Sequence, residues 1–245
     1  MLNKLIAALA VFVTLASGAQ ATDYFLADGA AWPGVILADR HGRTDTLHVR
    51  SDAQVDDDVP RVQSLSTLPS GELYFCSGLD RSVFQLDGRR EIRLSRGGGL
   101  TRQVRHDTNG DLYWSGVETP IDSNPLPDGF IYRWDSARRS VETVLTFSQG
   151  DVGHDWWGAF DVHEGKIFVG TLRDKTRIYN VSESPVRFVC ELPFSASAFR
   201  FGADGALYAC DGRGKLFRFP NRADLGDQEI VLESATPFAD FAFGR

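Results

Sequence analysis

The residues best suited to chemistry are His154 and Asp155, which stand side by side in the sequence and are followed directly by Trp156 and Trp157. A carboxylate can orient an imidazole so that it acts as a general base. Indole rings pair a broad apolar face with an N–H donor, so the same run could instead bind a sugar, an aromatic small molecule or a partner's side chain. Because neighbours in sequence rarely face each other, and no serine in a nucleophile elbow accompanies the pair, the residues favour binding over catalysis.

Three aspartates, Asp28, Asp211 and Asp240, are candidate ligands for a divalent cation. Asp28 and Asp211 occupy the same place in two similar segments, 24–29 and 207–212. Calcium and magnesium take oxygen ligands, so either ion is a possible cofactor. Aspartates in Asp-Gly turns also accept hydrogen bonds from loop amides, and the sequence leaves both interpretations open.

These residues are embedded in a repeat that recurs four times along the chain. Each copy has a glycine in a polar turn followed by a short β-rich strand, at residues 71–75, 110–114, 165–169 and 205–209. The glycines are 39, 55 and 40 residues apart, which is the blade length of a β-propeller. One strand precedes each glycine and two more follow the first, so each unit has four antiparallel strands.

The two ends of the chain supply one further unit. Residues 238–245 resemble the first strand of a unit but stop before its turn glycine, whereas residues 24–29 resemble the second strand. Pairing the two would close a ring and remove open sheet edges. The sequence therefore predicts an all-β fold: a five-bladed β-propeller of four-stranded antiparallel blades, one of them built from both termini.

Residues 1–21 have the features of a signal peptide. Lys4 precedes an apolar run over 5–16, and the segment ends at 19–21 in the small-x-small pattern of a cleavage site. We therefore expect a periplasmic or secreted protein with no membrane span and a single propeller domain over 22–245. A formal charge of −7 argues against nucleic acid as a partner.

The position five residues after each turn glycine takes a small side chain. It is Cys76, Ser115, Gly170 and Cys210 in the four internal units and Ala27 in the terminal one. Two of the three cysteines thus fall where the repeat requires a small packing residue. The blades that carry them are separated by another blade, so they are not expected to form a disulfide.

These units resemble those of the NHL and gluconolactonase-like propellers, and residues 205–219 are the clearest copy. The related senescence-marker-protein-like hydrolases hold a central divalent metal with a glutamate and Asn or Asp residues at the starts of inner strands. The corresponding positions here are 63–64, 103–104, 157–159, 197–198 and Asp240. The resemblance therefore implies the fold, whereas a single carboxylate is expected to face the axis.

One face of a propeller gathers the loops that enter each inner strand and those that join the second and third strands, and function concentrates on such loops. Two long segments, 117–128 and 148–157, are expected to reach this face. The candidate ligand-binding residues are Trp32, Gln103, Glu118, His154, Trp156, Trp157, Arg173 and Arg213.

The sequence thus favours a non-catalytic binding module that recognises a glycan, a small molecule or a partner protein on its Trp-rich loop face. The alternative is a metal-assisted hydrolase or lactonase, with Asp28, Asp211 and Asp240 as ligands and His154 as base. The scarcity of axial carboxylates favours the first.

An arginine-rich region surrounds the glycines at 97–99. It could bind an anion through backbone amides, or it could be a solvated face of outer strands, which is the interpretation that the alternation of charges favours. Its members are Arg81, Arg89, Arg90, Arg93, Arg96, Arg102 and Arg105.

Overall fold

The residues that the structure describes form β-strands joined by turns and short loops. The computed structural model describes residues 24–28, 34–38, 44–49, 62–68, 70–77, 82–87, 90–96, 100–117, 129–147, 157–171, 174–221, 224–235 and 237–244. The first ten strands are β1 (Tyr24–Asp28), β2 (Gly34–Ala38), β3 (Thr44–Val49), β4 (Ser64–Thr67), β5 (Leu73–Ser77), β6 (Ser82–Asp87), β7 (Arg90–Arg96), β8 (Leu100–His106), β9 (Leu112–Val117) and β10 (Gly129–Asp135). The other ten are β11 (Ser140–Phe147), β12 (Trp157–His163), β13 (Lys166–Thr171), β14 (Arg177–Asn180), β15 (Arg187–Glu191), β16 (Ala198–Phe201), β17 (Leu207–Cys210), β18 (Lys215–Phe219), β19 (Glu229–Glu233) and β20 (Phe238–Phe243).

The strands pair into four-stranded antiparallel sheets, which are the blades of a propeller. The sheet orders are β20-β1-β2-β3 (blade 1), β4-β5-β6-β7 (blade 2), β8-β9-β10-β11 (blade 3), β12-β13-β14-β15 (blade 4) and β16-β17-β18-β19 (blade 5). In blade 1 the C-terminal strand β20 pairs with the N-terminal strand β1, with Tyr24 opposite Phe243. The predicted all-β propeller of antiparallel four-stranded sheets is confirmed.

Glycine sets the turn between the first and second strands of the internal blades. Gly71, Gly110, Gly165 and Gly205 all have a positive φ, between 72° and 97°. An L side chain at these positions would be strained, because its Cβ collides with the neighbouring carbonyl oxygen. The glycines of the repeat therefore occupy turns that require a positive φ, as the sequence pattern predicts.

The first strand of each blade contacts the first strands of its two neighbours. These inner strands are β20, β4, β8, β12 and β16, and each contacts the next in that order, with β16 contacting β20. Each inner strand pairs with the second strand of its own blade in the same way, so equivalent positions can be compared between blades. We call level 1 the inner-strand residue opposite the small position of the repeat, and number the next residues levels 2 and 3. Level 1 contains Ser64, Gln103, Ala159, Ala198 and Asp240.

Level 2 side chains pack into the core of the preceding blade. Phe160 of blade 4 belongs to a buried cluster with Tyr113 and Ile131 of blade 3, and Phe199 of blade 5 packs with Phe168 of blade 4. Burying one such aromatic side chain contributes about 1.5–3 kcal/mol. Because alternate residues on a strand point to opposite sides, levels 1 and 3 are directed toward the next blade and the centre.

The small position of the repeat lies in the tightest part of this packing. Ala27, Cys76, Ser115, Gly170 and Cys210 are all buried. A Cβ added to Gly170 would lie 2.8 Å from Phe199 Cε1, closer than real carbon contacts. Cys76 and Cys210 are free thiols, as is Cys190. The predicted packing role of the first two cysteines is confirmed.

The predicted signal peptide, at residues 1–21, lies outside the described residues, so export and the domain bounds remain predictions. None of the segments that the structure describes contains a helix long and apolar enough to cross a membrane.

Candidate functional site

Polar and charged side chains meet where the inner strands come together. Level 1 contributes Ser64, Gln103 and Asp240. Level 3 contains Ser66, Arg105, Asp161, Arg200 and Ala242, each opposite an aromatic residue of the second strand. The polar members of both levels are buried. Buried charges are rare unless they are paired, so these residues form the natural candidate site.

Asp240 and Arg105 form the centre of this cluster. Arg105 donates from Nη1 to Asp240 Oδ2 at 2.7 Å and from Nη2 to Oδ1 at 3.2 Å, and both side chains are 0% exposed. The Ser64 hydroxyl and the Leu65 N–H also donate to Oδ2, and the Phe241 N–H donates to Oδ1. Both carboxylate oxygens are thus occupied and the negative charge is balanced within the protein.

A second arginine and a second aspartate complete the charge balance. Arg200 Nη2 lies 3.6 Å from Asp240 Oδ2 and donates to the Leu65 carbonyl oxygen. Asp161 Oδ1 lies 3.8 Å from Arg105 Nε, and its Oδ2 accepts a 2.7 Å hydrogen bond from the Phe201 N–H. The cluster therefore contains two guanidinium groups and two carboxyl groups.

Burial changes the protonation of these groups. It raises the pKa of Asp161 to about 6, since desolvation of the carboxylate outweighs the opposing effects of Arg105 and Arg200. It lowers the pKa of Arg200 to about 10, with the nearby Arg105 charge adding to the effect. Arg200 therefore remains protonated at neutral pH, whereas Asp161 becomes protonated at slightly acidic pH.

Polar side chains at the centre also link blades 1, 2, 3 and 4 each to the blade that follows. Inner strands lack a neighbour on their axial side, so some of their backbone N–H groups need side-chain acceptors. Such acceptors come from the preceding blade at four interfaces. The pairs are Asp240 with Leu65 N–H, Ser64 with Val104 N–H, Gln103 with Phe160 N–H, and Asp161 with Phe201 N–H.

Two of the predicted site residues have roles within the fold. Gln103 is buried; its Nε2 donates to the Ser197 carbonyl oxygen of blade 5 at 3.1 Å and its Oε1 accepts from the Phe160 N–H at 2.8 Å. Asp211 Oδ1 accepts hydrogen bonds from the Arg213 N–H (2.8 Å) and the Lys215 N–H (3.1 Å) in the β17–β18 turn. Asp211 therefore makes the amide contacts expected of a turn aspartate.

The structure thus brings Gln103 and Asp240 together at level 1, and Asp211 with Arg213 in the turn between β17 and β18. For Asp28 and Trp157 it describes the backbone, at the end of β1 and the start of β12. The other predicted site residues lie outside the described residues: Trp32, Glu118, His154, Asp155, Trp156 and Arg173.

Two expectations about charged residues were wrong. Asp161 joins Asp240 at Arg105, so more than one inner-strand carboxylate faces the centre. The sequence favours a solvated face for Arg105, but the side chain is fully buried. Arg90 and Arg93 are exposed as expected, and Arg93 lies over the Phe84 ring at 5.4 Å. Counting back four or five residues from each turn glycine would have placed Arg105, Asp161 and Arg200 at one level.

The described residues do not form a metal site. They include no group of three or more His, Cys, Asp or Glu side chains placed to hold an ion. Asp240, the candidate ligand nearest the centre, already has both oxygens bound to donors, and a divalent cation there would be close to the Arg105 charge. The chemistry of the cluster is that of an internal ion-pair network.

Comparison with known proteins shows the fold. No protein-family model and no curated protein matches this chain. A gluconolactonase from Xanthomonas campestris aligns with 90% of this chain and 79% of its own, at 14% identity and a TM-score of 0.54. A protein described as a candidate gluconolactonase aligns with 91% of this chain and 85% of its own, at 18% identity and a TM-score of 0.52. The chain has a gluconolactonase-like β-propeller fold.

Proposed function

We propose that the protein is an exported binding module that recognises a glycan, a small molecule or a partner protein through the loops at one end of a five-bladed ring, closed by the pairing of β1 with β20. The single observation that carries this proposal is the state of the axial acids. Asp240 and Asp161 are engaged by Arg105, Arg200 and backbone amides, so they are not available to a catalytic metal. Because the axial carboxylates are already paired, binding through the loops is favoured over catalysis at the axis.

Strand direction gives the end of the propeller at which the two long segments attach. Residues 118–128 join β9 to β10, and residues 148–156 join β11 to β12. Consecutive strands of a blade are antiparallel, so both segments connect at the end where the inner strands begin. They contain Glu118, His154 and Trp156, and Trp157 follows at the first position of β12.

The test is glycan binding by tryptophan variants. We expect immobilised polysaccharides and an oligosaccharide array to capture the protein with saturable affinity, and Trp156→Ala with Trp157→Ala to abolish capture while leaving the unfolding midpoint unchanged. Phe188→Ala is the matched control, because Phe188 is an aromatic side chain 53% exposed on the outer strand β15. Equal capture by the double variant would contradict the proposed surface.

A metal-assisted lactonase is the second candidate, and the shared fold with two propellers described as gluconolactonases supports it. It would require Asp240 to separate from Arg105 and to act with Asp28 and Asp211 as ligands, with His154 as base. Hydrolysis of glucono-δ-lactone, measured with and without a chelator, tests it. Chelator-sensitive hydrolysis that Asp211→Asn abolishes would replace the binding module, whereas hydrolysis at the background rate would exclude the lactonase.

A further inference from the structure

The Gln103 residue joins three blades beneath the loop end of the propeller. Its backbone N–H donates to Ser115 Oγ at 3.1 Å, which holds β8 to the second strand of its own blade. Its Oε1 accepts from the Phe160 N–H of blade 4 at 2.8 Å, and its Nε2 donates to the Ser197 carbonyl oxygen of blade 5 at 3.1 Å. The inner strand of blade 4 lies between those of blades 3 and 5, so the contact with Ser197 crosses the centre of the molecule.

The two side-chain contacts use both ends of one amide. The Phe160 N–H is a donor and the Ser197 carbonyl oxygen is an acceptor, so only one orientation of the Gln103 amide satisfies both. The level 1 residues of the two contacted blades are Ala159 and Ala198, which are 1% and 0% exposed. Neither alanine has a polar side chain, so Gln103 supplies the polar link between blades 4 and 5 at this level.

Each contact holds an element that carries a candidate ligand-binding residue. Phe160 lies three residues after Trp157, the first residue of β12. Ser197 packs against the β17–β18 turn, since a Cβ added to Gly212 would lie 3.4 Å from Ser197 Cβ. Arg213 follows Gly212 in this turn and is exposed. The amide therefore connects the start of β12 with the turn that carries Arg213.

We propose that Gln103 is a positioning residue of the loop-end binding surface: its side-chain amide fixes the spacing between the start of β12 and the β17–β18 turn, and with it the spacing between Trp157 and Arg213. The consequence for binding rests on the proposed function, in which these two residues are candidate ligand contacts. The spacing itself is a property of the protein without ligand, so it can be tested separately.

Amide hydrogen exchange of the full-length protein, followed residue by residue by NMR, tests the spacing. Gln103→Met keeps an unbranched side chain of similar length but removes both hydrogen bonds. We expect exchange to accelerate about tenfold at the Phe160 N–H, which loses its acceptor, and also at the Ser197 and Lys215 N–H groups of blade 5. Gln85→Met is the matched control, because Gln85 lies on β6, the third strand of blade 2.

Ser64→Ala separates positioning from a general loss of stability. It removes a hydrogen bond between blades 2 and 3, in which Ser64 Oγ accepts from the Val104 N–H at 3.1 Å. Exchange should accelerate at Val104, whereas the Ser197 and Lys215 N–H groups should keep their wild-type rates. Wild-type rates at Ser197 and Lys215 in Gln103→Met, or the same acceleration there in Ser64→Ala, would overturn the proposal.

Capture on immobilised polysaccharide shows whether the spacing matters for binding. On a polysaccharide that captures the wild type, we expect Gln103→Met to weaken the affinity about tenfold, which corresponds to one lost hydrogen bond, and Gln85→Met to leave it unchanged. Equal affinity of wild type and Gln103→Met would overturn the proposal. Absence of capture by the wild type would instead contradict the proposed function, and the exchange rates would still decide whether Gln103 sets the spacing.

Discussion

Two ion pairs in this molecule have the same contact distance but differ in their exposure to water. Arg105 and Asp240 on the inner strands lie 2.7 Å apart and are 0% exposed. Arg133 and Glu142 on the outer strands of blade 3 also lie 2.7 Å apart, but their side chains are 40% and 55% exposed. Distance therefore does not distinguish these pairs, whereas access of water does.

The physical difference lies in what remains when one partner is lost. An exposed charge that loses its partner is solvated again, so a surface pair contributes about 0–1 kcal/mol. A buried charge without its partner cannot recover its hydration, and removing one member of a buried pair costs about 3–5 kcal/mol. The inner pair should consequently be sensitive to single substitutions, although the pair as a whole contributes little net stability.

The largest expected effect comes from Asp240→Ala. The substitution leaves Arg105 buried without its carboxylate and removes the acceptor of the Ser64 hydroxyl and the Leu65 N–H. We expect the free energy of unfolding in urea to fall by about 3–5 kcal/mol. Glu142→Ala, which breaks the outer pair at the same distance, should cost less than about 1 kcal/mol. Similar losses in both variants would contradict the comparison.

Asp161→Asn should change the pH dependence of stability. The pKa of Asp161 is raised to about 6 in the folded protein, from 3.8, so the native state holds this proton more tightly than the unfolded chain does. The resulting stabilisation is complete below about pH 4 and is lost as the pH rises through 6. The amide introduced by the substitution cannot titrate, but its oxygen can still accept from the Phe201 N–H.

The measurement is the difference in unfolding free energy between wild type and Asp161→Asn across pH 4 to 7. We expect the wild type to lose up to about 3 kcal/mol relative to the variant over this range. His106 has the opposite effect, since its lowered pKa makes stability fall as the pH drops below 6.5, but it is present in both proteins and cancels in the difference. A difference that does not vary with pH would show that Asp161 is ionised throughout.

Ser64→Ala tests the hydrogen bonds between the inner strands of neighbouring blades. The Ser64 hydroxyl donates to Asp240 and accepts from the Val104 N–H at 3.1 Å, so its loss leaves a buried backbone donor unsatisfied. We expect a loss of about 1–3 kcal/mol in urea unfolding. Ser182→Ala is the exposed counterpart, because Ser182 Oγ accepts from the Ile167 N–H where water can replace it. Equal costs for the two variants would show that the axial position has no special role.

The sequence predicts the blades well because their signals are local. A glycine with positive φ and a small residue five positions later recur in every internal blade, and each is required by the geometry of one turn or one close contact. The polar centre has no such signature, since level 1 contains serine, glutamine, alanine and aspartate in different blades. Arg105 resembles the exposed arginines before it in the chain, and only the register between strands reveals its pairing with Asp240.

The smallest expected effect concerns Arg218, which tests whether several surface contacts can match one buried pair. Arg218 donates to Asp204 at 2.8 Å, to Glu229 at 3.1 Å and also to the Tyr208 hydroxyl. Its side chain is 28% exposed. The hydrogen bonds that Arg218 donates to Asp204 and to the Tyr208 hydroxyl raise its pKa, so these contacts favour the charged form. We expect Arg218→Ala to cost less than about 1 kcal/mol at low ionic strength, and this cost to fall further in about 1 M salt, where the screening length is about 3 Å. If Arg218→Ala lowers the free energy of unfolding by more than Ser64→Ala does, and the loss persists in high salt, exposed contacts would be as sensitive to a single substitution as buried ones.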